Sequence, residues 1–75
     1  MVKLLEIILI GNTRAVISEI YDDGSVEVVY SDSGKHINED AVLVDGKWEF
    51  KYKGVGGGYA DKYPRLQDAI RALGR

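Results

Sequence analysis

The sequence predicts an α+β domain: a bent antiparallel sheet or small barrel of about five strands with one C-terminal helix. Three observations predict it. Short runs rich in Val, Ile and aromatic residues are broken by two Asp-Gly turns, Asp23-Gly24 and Asp45-Gly46, the pattern of a meander of hairpins. Near the end, Leu66, Ala69, Ile70 and Leu73 recur at i, i+3, i+4 and i+7, the spacing of one buried helical stripe. The strand–helix–strand unit with a spaced glycine fingerprint that a dinucleotide-binding α/β fold needs is missing.

Seventy-five residues make one domain, 1–75, because so short a chain buries only ~60% of its unfolded surface and cannot support two cores. With 45% hydrophobic and 29% charged residues it is ordinary globular material. The absence of Cys removes disulfides and thiolate zinc sites, so packing alone must hold the fold, and neither a cofactor nor a metal is expected. Its apolar run from Leu4 to Ile10 is interrupted by Glu6 and is far below the ~20 residues that cross a bilayer. No small-residue cleavage pattern follows that run, so a cytoplasmic location without membrane contact is the expectation.

The first strand is expected over 2–10. Val2, Leu4, Ile8 and Ile10 lie on one side with Glu6, and Leu5, Ile7 and Leu9 on the other with Lys3, so the strand needs cover on both faces. Strands over 14–21 and 26–31 follow. A three-residue Asp22-Asp23-Gly24 loop sorts their side chains best, placing Val16, Ser18, Ile20, Val26, Val28 and Tyr30 together opposite Ile17, Glu19, Tyr21, Ser25, Glu27 and Val29. Residues 36–40 read as a short strand or a helical turn. Strands over 41–44 and 47–53 are joined by a two-residue Asp45-Gly46 turn, which pairs Leu43 with Trp48 and puts Ala41, Leu43, Trp48, Phe50 and Tyr52 on the core side. The glycine-rich loop 54–58 is expected to be a connector, and the helix to run over 64–73 with Pro64 at its first position.

No motif demands a chemistry. His36 is the lone histidine, and although Ser31 and Ser33 are near in sequence, nothing fixes a base to a nucleophile. The glycine run invites an anion-binding reading beside Lys53, Lys62 and Arg65, but no Gly-Lys-Ser/Thr follows it. No catalytic residue is assigned, and the chain is read as a non-enzyme. Aromatic side chains carry more weight, since on a small sheet they serve as core or as a stacking and cation-binding platform. Trp48, Phe50 and Tyr52 read as core, and Tyr21, Tyr59 and Tyr63 as surface.

Residues 13–34, Thr-Arg-Ala-Val-Ile-Ser-Glu-Ile-Tyr-Asp-Asp-Gly-Ser-Val-Glu-Val-Val-Tyr-Ser-Asp-Ser-Gly, resemble the central hairpin of Tudor-like, SH3-like small barrels. That resemblance implies a barrel and a ligand site to which Tyr30 and Asp32 would contribute, while Thr13 and Ser33 stand where the family's other cage aromatics would be. The segment from Trp48 to Leu73 resembles the sheet–helix end of AP2-like DNA-binding modules. This implies a nucleic-acid alternative using Lys51, Lys53, Arg65 and Arg71.

Residues 1–46 carry three basic and nine acidic side chains, and residues 47–75 seven basic and three acidic. The overall pI of about 5.2 counts against strong nucleic-acid binding. The favoured reading is therefore a small protein-interaction module. Self-association is expected as well, most simply a homodimer through Leu5, Ile7 and Leu9; closure of a barrel with the helix outside the first strand is the competing way to bury both faces.

Overall fold

The computed structural model describes residues 2–53 and 57–74. Six strands, β1 (Ile7–Ile10), β2 (Thr13–Ile20), β3 (Val26–Asp32), β4 (Lys35–Val44), β5 (Lys47–Phe50) and β6 (Gly58–Tyr59), precede 3₁₀ turns at Ala60–Lys62 and Pro64–Leu66 and the helix α1 (Gln67–Leu73). Strands β1 to β5 close into a small SH3-like barrel, and β6 is added beside β4. Closure comes from a parallel contact of β1 with β5 at Ile10↔Trp48, so the sheet is mixed rather than wholly antiparallel.

Turn chemistry explains most of the register. Asp45 and Gly46 both hold positive φ, 51° and 80°, as a two-residue hairpin turn requires, and Leu43↔Trp48 and Val44↔Lys47 pair as the sequence predicts. Ser33 and Gly34 make the same kind of turn between β3 and β4. As a result β4 is one strand of ten residues, which joins the expected 41–44 to residues 36–40 and decides these for a strand over a helical turn. The loop between β2 and β3 has the expected three residues: Gly24 donates its N–H to the Tyr21 carbonyl and Tyr21 to that of Ser25, pairing Ile20 with Val26.

That register lasts only two pairs. An irregularity between Ile17 and Glu19 sets Ile17 opposite Val28 and Val16 opposite Val29, so beyond Ser18 the expected faces are exchanged. Ile17 joins Ile10, Ala15, Val26, Val28, Tyr30 and Ala41 inside the barrel, with Ile8, Ile37, Trp48 and Phe50 packed against them. Val16 turns outward with Val29 to meet Ala60, Leu66, Ala69 and Ala72 beneath the helix. The helix is shorter than the expected 64–73, because Pro64 starts a 3₁₀ turn before the α-helical residues, but its stripe packs as predicted.

Strand β1 is also shorter than 2–10. Leu5 takes φ 66°, a left-handed value costly for a leucine, and Glu6 donates its N–H to the Lys3 carbonyl, so residues 3–6 form a turn. The strand expected over 47–53 ends at Phe50, so Tyr52 falls in the turn beyond it and is exposed, and Leu43, near the tip of the β4–β5 hairpin, is exposed as well, where the sequence puts both on the core side. Within the predicted loop 54–58, residues 54–56 lie outside the described residues, and Gly58 belongs to β6. Gly57 lies so close to β4 that a Cβ there would stand 2.7 Å from Ile37 Cγ2 and 2.9 Å from the Asn38 carbonyl oxygen. That close approach lets the chain return along β4 before the helix.

Candidate functional site

The helix covers β2 and β3 but leaves the outer face of β1 open. Leu4, Leu5, Ile7 and Leu9 are 60%, 39%, 40% and 64% exposed, a cluster of large aliphatic side chains on one strand and the turn before it. Barrel closure buries the other face of β1, where Ile8 and Ile10 point inward. The two ways of covering this strand are therefore divided: the barrel covers one face, and the helix lies beside the other rather than over it. A groove of roughly 180 Å³ runs between Leu4 and Leu5 on one wall and Arg65, Asp68 and Ala69 on the other, with Ser18 between them. Toward the β5 side Leu9 borders Lys47 and Glu49, and on the β2 side it pairs with Arg14, whose guanidinium donates to the Leu73 carbonyl.

The groove wall is held by a polar cluster on the outer face of the barrel. Glu27 is only 4% exposed, accepts two bonds from Arg65 at 2.7 and 2.9 Å, one from the Ser18 hydroxyl at 2.7 Å and one from the Asn38 amide at 3.3 Å. Burial alone would raise the Glu27 carboxyl, but these donors outweigh it and hold the group below its ordinary value. The same bonds raise Arg65, against a smaller opposing effect of burial. Sequence reasoning missed Glu27 because a charge on a strand face reads as solvated; its signal was the Ser18 bulge, which no residue type announces.

The predicted ligand residues do not converge. Tyr30 is 9% exposed inside the barrel, its ring 5.1 Å from that of Phe50 and its hydroxyl 3.3 Å from Glu39, and burial followed by the Glu39 charge pushes it up to about 12. A residue so placed lines no exposed cage, which corrects the role implied by the family resemblance. Asp32 stands exposed at the β3–β4 turn. Tyr21 lies at the opposite end of β3, where its hydroxyl donates to Asp40 at 2.8 Å; burial, then that carboxylate, raises its pKa. Tyr59 and Tyr63 are exposed as predicted and sit near one another along the chain between β6 and the helix.

Nor do the four basic residues of the nucleic-acid alternative form one face. Arg65 is bound to Glu27 and Arg71 to Asp68 at the helix, whereas Lys51 and Lys53 follow β5, which contacts neither β2 nor β3 in the barrel order. His36 Nδ1 lies 2.9 Å from Asp61 Oδ1, and the bond from His36 holds Asp61 below the usual carboxylate range. Ser31 stands across the ladder from His36. Among the described residues no group of three or more His, Asp and Glu side chains could hold a metal ion, and no helix is long and apolar enough to cross a membrane. Comparison with protein-family models, with curated proteins and with solved structures found no match.

Proposed function

We propose that the chain is a non-enzymatic interaction module that works as a homodimer, with the outer face of β1 and the Lys3–Glu6 turn as its interface. The observation that carries this reading is the exposure of Leu4, Leu5, Ile7 and Leu9 together, beside a helix that covers only the neighbouring strands. Soluble single chains keep such aliphatic surface scattered, and a continuous patch marks an interface. The left-handed Leu5 adds to this, since backbone strain is retained where a side chain must be presented. A second copy related by a two-fold axis would cover the patch with itself. The rim supplied by Arg14, Lys47 and Glu49 carries both signs, so one copy does not repel the other. A cytoplasmic location belongs to the same reading.

Methyl-selective NMR with a soluble paramagnetic agent tests it. The Ile7 methyl groups should be shielded in the native chain and strongly relaxed in Leu9→Lys; equal, strong relaxation in both would mean the face is open to solvent and the reading is wrong.

A further inference from the structure

We propose that a second surface, running from Lys35 through Tyr59 and Lys62 to Tyr63, binds single-stranded nucleic acid. Tyr59, on β6, is 47% exposed, and two ammonium groups approach its ring: Lys35 Nζ from β4 at 5.2 Å and Lys62 Nζ from the 3₁₀ turn at 5.7 Å. Tyr63, 42% exposed, follows Lys62 directly, with the Arg65 guanidinium 5.7 Å from its ring. Exposed rings and cations thus alternate along the chain from Tyr59 to Arg65, joined by Lys35 from β4, and such a combination lets proteins track a flexible phosphate backbone while bases stack on aromatic faces.

The neighbouring charges decide how much of this strip is available. Glu27 takes Arg65, with Glu19 at 4.0 Å, and Asp61 is bonded to His36. Asp32 faces Lys35 in the ladder, but its carboxylate accepts from Ser33 and makes no ion pair with the lysine. Lys35 and Lys62 have no carboxylate within ion-pair distance among the described residues, although both crowd one ring. With the two ammonium groups 5.2 and 5.7 Å from one ring centre, a phosphate bound beside that ring is attracted by both. The backbone beneath is fixed: Tyr59 pairs with Ile37 of β4, and Gly57 leaves no room for the chain to shift inward.

Two phosphate contacts on a single strand imply a shallow salt dependence, a slope of log affinity on log salt near −1.4, so a fourfold rise in salt weakens binding about sevenfold. Stacking is expected to carry the rest. This surface is independent of the β1 interface, so Leu9→Lys should bind as the native chain does.

The test is an NMR titration of the ¹⁵N-labelled full chain with a short oligothymidylate at low salt. Amide shifts are expected at Lys35, Tyr59, Lys62 and Tyr63. Tyr59→Ala should lose at least about fivefold in affinity and Tyr59→Phe little, while Lys35→Gln or Lys62→Gln should each reduce the slope by about 0.7. Melting curves will show that these exposed-residue variants remain folded. No shifts, shifts at Lys51 and Lys53 instead, or an equal response to polyglutamate that survives Tyr59→Ala would overturn the proposal, the last pointing to an acidic peptide as the ligand.

Discussion

Arg65 grips the carboxylate of Glu27 at two points, 2.7 and 2.9 Å, and so ties the segment leading into the helix to the outer face of β3. Glu27 is buried while Arg65 keeps half its surface in water. The pair therefore works as an anchor whose inner half depends on its outer half. Replacing Arg65 by Met strands a buried carboxylate that water can only partly reach, and should cost about 1–3 kcal/mol in denaturant unfolding. A cost near zero would show that Ser18 and Asn38 satisfy Glu27 alone.

The same pair sets an acid limit. The folded-state pKa of Glu27 is depressed below its ordinary value of 4.5, so its contribution is fully present above that value and is lost as pH falls through the lower, folded one. Melting temperature should therefore decline from about pH 4.5 downward. In Glu27→Gln the decline should be shallower, with lower stability at neutral pH. Parallel curves for the two proteins would contradict the assignment.

Gly57 should tolerate no side chain. A methyl group there meets Ile37 Cγ2 and the Asn38 carbonyl, and Gly57→Ala should destabilise by about 1–3 kcal/mol. Gly74→Ala, whose Cβ would meet only the Arg71 carbonyl at an ordinary 3.6 Å, is the control and should stay within about 0.5 kcal/mol.

Trp48 packs against the barrel core without being fully enclosed, and it carries the β1–β5 closure through Ile10. Trp48→Ala should cost about 3 kcal/mol, the lower end of the range for aromatic truncations. A thermal melt that barely moves would place the ring outside the core.

What the sequence discloses about this fold is strongest where a residue type has one conformational use. Asp45-Gly46 fixes its hairpin because both positions need positive φ, and the Leu66–Leu73 stripe fixes a helix face because its period is unambiguous. The failures share a cause: conformations adopted by residues that do not advertise them. Ser18 permits a bulge that exchanges Val16 and Ile17, and Leu5 accepts a left-handed turn that a glycine would have signalled. Ser33-Gly34 makes a tight hairpin that carries residues 36–40 into β4, where the residue types left a strand and a helical turn open. The exposed aliphatic set at Leu5, Ile7 and Leu9 was legible from the two-faced first strand; how the barrel and the helix would share the covering of β1 was not, since that depends on the helix packing over β2 and β3. Nor could Lys35 be placed beside Tyr59 and Lys62, because that contact needs β6 to lie along β4.

If β1 presents an interface to a second copy of this chain, the protein is a dimer in solution. Light scattering at micromolar concentration measures it most directly. A mass near twice 8.3 kDa is expected, falling to the single-chain value when Ile7 or Leu9 is changed to Lys; a native mass of 8.3 kDa would contradict the proposed dimer.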